Sequence, residues 1–292
     1  MIFKLCNKLG FDLSSAQYFQ EVYNKISQNK ECNMLLKRAE NLFFDRESTE
    51  YTSDLQKISE IIGIHRYTVD MVFVLSCSER AHKIYASRGI PDEIYFDTMA
   101  DAKYKLEECK NVYGVLGTFV GWWFKKHCLA DLVALGRVQF EKIPFPYESY
   151  GDVLKRGDTV YNFHVPASGS LDKASLIDSF KRAYSFYSSE LKNGIMPIYF
   201  SSWLIYPPTA ALYKSGSNLE SFYELFDIID TDKDEKNRDA WRVFNQQVTN
   251  ENISTLPENT SLQRSLKAYL GAGNCMGKGI GVLLFDGENI IK

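Results

Sequence analysis

The sequence predicts an α+β protein: an N-terminal helical bundle followed by a mixed β-sheet domain flanked by helices. Three observations predict it. Up to about residue 110, apolar residues recur at spacings of three and four, with no alternating stretch. From Leu135 the period changes to two. Asp158 to Tyr187 then reads as strand, small-residue turn and helix in succession.

Taken in order, Phe19, Val22 and Ile26 mark one helix, and Leu55, Ile58, Ile61 and Ile62 another. Met71, Val74 and Leu75 lie in a third, read from Tyr67 to Ser87 and stopped by Gly89. Pro91 opens the next, where Asp92 and Glu93 suit the positive end of the dipole. Four or five packed helices are expected. A further helix from Tyr113 to His127 carries Trp122 and Trp123, a density that fits core or domain-interface packing better than a cofactor box.

In the second half, Leu135 to Glu141 is the first expected strand. Val138 and Phe140 point one way, and Arg137, Gln139 and Glu141 point the other. Pro144 to Gly157 is a loop. Thr159 to Val165 is rich in β-branched and aromatic residues, and Pro166 ends it. Ala167, Ser168, Gly169 and Ser170 form a small-residue turn before Asp172, an N-cap for a helix with Leu176, Phe180, Tyr184 and Tyr187. Such a turn can hold an anion, because first-turn N–H groups lack partners within the helix.

Met196 to Ile205 reads as a strand buried on both faces, with Ser201 and Ser202 inside it in need of partners. Pro207 starts a short helix, and Ser217-Asn218 caps another. Phe226 to Ile229 is a short strand, Asn237 to Gln246 a helix, and Thr260 with Gln263 a capping box. Gly279 to Phe285 is the closing strand.

The 292 residues are 45% hydrophobic and 24% charged, which suits a two-domain globular chain, divided here into 1–128 and 129–292. A net charge of −3 supplies no field for non-specific nucleic-acid binding. The longest apolar run, Val115 to Phe124, is too short to span a bilayer, and no signal peptide is evident. Six cysteines without a C-x-x-C are expected to be reduced, mostly buried thiols in a cytoplasmic protein.

Two suggestive strings fail on their spacing. Asp230 to Asp234 opens like a calcium loop, but Glu235 stands where a glycine is needed and Trp241 where a bidentate carboxylate is needed. Gly271 to Gly277 leaves a helix instead of entering one, so it offers carbonyls. No histidines sit at metal-ligand spacing, so no metal site is expected. His164 shares a strand face with Asn162 just before the turn, a position open both to a general base and to a hydrogen-bonded core residue.

Five strings together, Leu135-Gly136-Arg137-Val138-Gln139-Phe140-Glu141, Phe163-His164-Val165-Pro166-x-x-Gly169-x-Leu171, Ser202-Trp203-Leu204, Ser217-Asn218-x-x-x-Phe222 and Leu256-Pro257-x-x-Thr260-Ser261-Leu262, resemble in order a bacterial family of GNAT-like acyltransferase-domain proteins. Gly89-Ile90-Pro91-Asp92-Glu93-Ile94 resembles its helical N-terminal part. The resemblance spans most of the chain. It implies a strand, Thr159–Val165, splayed from the next one, Ile198–Ile205, so that exposed backbone pairs with a pantetheine arm.

It further implies an acyl-CoA or acetyl-CoA co-substrate and a small-molecule amine acceptor. The pyrophosphate would lie along Val165, Pro166, Ala167, Ser168, Gly169, Ser170 and Leu171. That turn departs from the family's Q/R-x-x-G-x-G/A: it keeps the middle glycine, lacks the leading Arg or Gln and ends in leucine. The base would be Glu141 or His164, with the Val165 N–H meeting the oxyanion and Ser202 orienting the base or a water. Arg137, Gln139, Trp203 and Asn218 would line the acceptor side. The alternative is a non-catalytic small-molecule or partner-binding protein that retains the fold. A Ser/His hydrolase on Ser168 or Ser202 is weaker, since no G-x-S-x-G is present.

Overall fold

The computed structural model describes residues 1–291 and divides into two compact units, the first ending at Ala134 and the second beginning at Leu135. The first is helical: α1 Ile2–Lys8, α2 Leu13–Gln28, α3 Lys30–Phe43, α4 Tyr51–Ile62, α5 Arg66–Ser76, α6 Ser78–Ser87, α7 Asp92–Met99, α8 Asp101–Tyr113 and α9 Phe124–Cys128. The Asp12 carboxylate caps α2 by accepting from the Ser15 N–H at 2.8 Å, and Asn29 caps α3 through the Cys32 N–H at 3.0 Å. Gly63 ends α4 in the left-handed conformation.

Eight of these, α1 to α8, stand where four or five were expected. The segment from Tyr67 to Ser87 breaks at Cys77, and the one after Pro91 breaks at Ala100, with no glycine or proline at either point. The expected helix from Tyr113 to His127 is mostly absent. Gly114 ends α8, an irregular segment follows, and a 3-10 turn at Gly121–Trp123 leads into α9. Backbone proximity explains the irregular segment. Gly117 lies where a Cβ would fall 2.3 Å from the Tyr67 carbonyl, and the Thr118 N–H donates to that carbonyl at 2.9 Å. Trp122 is 63% exposed and so belongs to no core; Trp123 donates its indole N–H to Asp101 at 3.3 Å.

The remaining elements are β1 Leu132–Leu135, β2 Val138–Pro144, β3 Ser149–Tyr150, β4 Leu154–Lys155, β5 Thr159–His164, α10 Lys173–Tyr187, β6 Met196–Ser202, α11 Pro207–Ala210, α12 Asn218–Tyr223, β7 Asp227–Lys233, α13 Trp241–Phe244, α14 Ser261–Gly271, β8 Gly277–Phe285 and β9 Ile290–Ile291. In the second unit the strands lie in the order β2-β5-β6-β8-β7, with β9 beside β8. The sheet is mixed: β5 and β6 are parallel, and the other pairs are antiparallel.

One face of this sheet is an aromatic layer. Phe140, Phe163, Phe200 and Phe285 meet Phe180 of α10, Phe222 of α12 and Phe226, with the Phe163 and Phe200 rings stacked at 4.1 Å. The other face carries Val160, Tyr199, Ile280, Val282 and Leu284, covered by Phe145 and Leu154 of the β2–β5 connection. Tyr147 and Tyr150 of that connection reach across to Asp230 and Asp227 of β7, each at 3.0 Å. The outer helices form a separate cluster around Phe244, Leu256, Leu266 and Leu270, stabilised at α14 by the expected capping box of Thr260 and Gln263.

Three strand boundaries differ from expectation. Leu135 to Glu141 is not one strand, because the chain turns at Gly136, whose φ is +80°. β6 stops at Ser202 and passes into a 3-10 turn at Trp203–Ile205. The short strand expected to end at Ile229 continues as β7 through the charged run as far as Lys233, beside Gly277 and Gly279 of β8. The helix expected at Asn237–Gln246 is reduced to α13.

Candidate active site

The alternation of β2 and the alternation of β5 meet in one polar cluster. Their antiparallel register sets Gln139 opposite His164 and Glu141 opposite Asn162, so all four side chains share a face. Glu141 is 5% exposed. Its Oε1 lies 2.7 Å from His164 Nε2 and 3.0 Å from Asn162 Nδ2. Two donors therefore converge on one carboxylate oxygen, which accounts for the 3.1 Å between Asn162 Nδ2 and His164 Nε2. With Nε2–H given to the carboxylate, the neutral ring carries its basic lone pair on Nδ1. Glu141 and His164, the two candidate bases, thus form one hydrogen-bonded pair.

The cluster sits where two strands part. Among the described residues, the parallel pairing of β5 with β6 is confined to Tyr161/Ile198 and Asn162/Tyr199. His164 stands two residues beyond the last pair, at the end of β5, while β6 runs on to Ser202. Because Tyr199 is registered with Asn162, Tyr199 and Ser201 are the β6 residues on the His164 face. Ser201 is exposed there, so its hydroxyl is not the buried group the sequence suggested.

The turn after β5 is held from behind. Arg137, from the turn that precedes β2, donates from Nη1 to the Pro166 carbonyl at 3.0 Å, from Nη2 to Gly169 at 2.7 Å and from Nε to Ser170 at 2.8 Å. Its own N–H donates to Ser179 Oγ at 2.7 Å, which ties the same turn to α10. Asp172 caps α10, accepting from the Ser175 N–H at 2.9 Å and the Ser175 hydroxyl at 2.8 Å. These bonds, the backbone one first, hold its carboxyl below the usual range, so the first turn of α10 already carries an anion.

A family model described as the GNAT-like C-terminal domain matches residues 132–283. The chain belongs to that family. Ahead of the GNAT-like domain, a model described as the N-acyltransferase N-terminal domain matches residues 2–129. No curated protein matches the chain. Among solved structures, an acyltransferase in complex with decanoyl-CoA aligns over 96% of this chain and 86% of its own, at 19% identity and a TM-score of 0.75. An acyltransferase in complex with CoA and 10C-teicoplanin aligns over 96% and 98%, at 20% identity and a TM-score of 0.64. One in complex with decanoyl-CoA and teicoplanin covers the same shares at 21% identity, with a TM-score of 0.63. At such identities the likeness establishes the fold, a helical region followed by a curled mixed sheet with helices.

Within the GNAT-like domain, the residues singled out from the sequence are dispersed. Gln139, Glu141 and His164 come together with Asn162. Val165 continues from them into the turn Pro166 to Leu171, which lies beside Arg137 instead of opposite it. Arg137, expected beside Gln139, instead bonds this turn, because the turn at Gly136 interrupts the alternation that grouped them. Ser202 caps the 3-10 turn, accepting from the Leu204 N–H at 3.2 Å, on the face opposite to His164. Trp203 packs on the α13–α14 cluster, and Asn218 is exposed at the start of α12 behind its cap, Ser217. Tyr199 and Ser201 were missed as neighbours in the candidate site, and Asn162 was noted only for sharing a face with His164. Cross-strand register would have found the two on β6, and one strand read alone cannot supply it.

All six cysteines are buried and free, and among the described residues no single helix is long and apolar enough to cross a membrane.

Proposed function

We propose that this protein is an acyl-CoA-dependent acyltransferase that moves the acyl group from the thioester to an amine. The observation that carries the reading is the Glu141–His164 pair at the parting of β5 and β6. In this reading the pair is a proton acceptor beside strand backbone with which an extended thioester would pair. The CoA complexes of the fold neighbours support the co-substrate, and the N-acyltransferase model over the first unit supports a nitrogen acceptor.

In this reading an ammonium acceptor gives a proton to His164 Nδ1, and Glu141 stabilises the imidazolium that forms. The amine nitrogen then attacks the thioester carbonyl carbon. Charge moves to the carbonyl oxygen, where the Val165 N–H donates to it. Collapse breaks the C–S bond and releases CoA thiolate, the nitrogen gives up its second proton to that thiolate as the amide forms, and the imidazolium returns its proton to solvent. Ser201, on the same face, is the nearer β6 hydroxyl for ordering the acceptor or a water, and Ser202 keeps its cap.

The test is release of free CoA thiol from a panel of acetyl-, octanoyl- and decanoyl-CoA with primary amines, with mass spectrometry of the acceptor. Thiol release coupled to amide formation supports the reading. Tight acyl-CoA binding without transfer to any amine would instead favour the non-catalytic binding protein.

A further inference from the structure

We infer that Arg137 is a positioning residue that fixes the turn Pro166–Leu171 as a receptor for the pyrophosphate of CoA. The inference rests on the acyl-CoA reading above and goes beyond it. It assigns to a residue outside the turn the task that the missing Arg or Gln at the turn's first position leaves open.

The geometry is that of a rigid fork. A guanidinium presents its N–H donors in one plane, and here three of them are spent on three carbonyls of a five-residue stretch: Pro166, Gly169 and Ser170. Among the described residues there is no cis peptide bond, and across a trans peptide the C=O and the following N–H point in opposite directions. Drawing those carbonyls onto Arg137 therefore turns the N–H groups of Ala167, Ser170 and Leu171 away from it. None of these three N–H groups donates to another described residue. Backbone N–H groups gathered on one side of a turn form an anion-binding concavity.

Gly169 leaves the turn uncrowded. Its φ is +127°, and a Cβ built there would meet nothing within 4 Å. The α10 terminus cannot do the work by itself, because Asp172 already occupies it. The anion is thus drawn to the turn, with the guanidinium behind supplying both the restraint and a positive charge. Arg137 is itself fixed to α10 through Ser179, so turn and helix move as one piece.

Titration calorimetry on the full chain with two probes, CoA and pantetheine, tests the assignment. Pantetheine shares the arm but has no pyrophosphate. Wild type is expected to bind CoA more tightly than pantetheine. Arg137→Ala is expected to weaken CoA binding by about 10- to 100-fold, the scale of losing one or two charge-assisted hydrogen bonds, and to leave pantetheine within about 3-fold. Arg137→Lys keeps the charge without the fork and is expected to share the CoA-specific loss; it also serves if the alanine variant does not fold. Equal weakening for both probes, or no change for either, would overturn the inference and leave the acyl-CoA reading standing. A wild type that binds neither probe overturns the acyl-CoA reading, and Arg137 loses this role with it.

Discussion

Glu141 and His164 lie on neighbouring strands, two residues apart in register, and share a hydrogen bond of 2.7 Å between Oε1 and Nε2. The carboxylate is nearly buried, whereas the ring is about a quarter exposed. Glu141→Gln keeps the shape and removes the charge that faces the ring, so the pair takes up the acceptor's proton less well. Turnover is expected to fall about 10- to 100-fold, at the lower end for a weakened general base, with CoA affinity held within about 3-fold. Turnover equal to wild type would separate Glu141 from the proton transfer.

Gly169 carries the second expectation. A β-branched side chain at φ +127° is strained, and relieving that strain would shift the turn backbone that the phosphates would meet. Gly169→Val is expected to abolish CoA binding in calorimetry while circular dichroism shows the fold retained. Unchanged affinity would remove the turn from the cofactor site.

Asp70, in the first unit, sets a pH dependence of stability. Burial raises its carboxyl to about 6, against the opposing pull of Arg66 at 2.8 Å. The folded state therefore binds a proton more tightly than the unfolded chain. Its contribution is fully present below the unfolded value near 4 and is lost as pH rises through about 6. Asp70→Asn is expected to flatten the change in melting temperature between those pH values. A variant as steep as wild type would show that Asp70 is not the group responsible.

What could be read from the sequence was local. Asp172 as N-cap, the Thr260–Gln263 box and the change from helical to strand period all depend on neighbours within a few residues, and all stand in the structure. The helix breaks at Cys77 and Ala100 could not be read, since neither carries a turn residue. Arg137 has the parity of Glu141, yet Gly136 turns the chain and sends it to the other loop. Ser201 and Ser202 differ by one position and therefore by a whole face; only the pairing of Asn162 with Tyr199 says which one accompanies His164.

The most direct measurement compares His164→Gln with wild type in single turnover at saturating acyl-CoA, with CoA affinity measured alongside. The account expects the rate of acyl transfer to fall about 10²- to 10⁴-fold, as for a lost general base, with affinity held within about 3-fold. A variant that transfers as fast as wild type would contradict it.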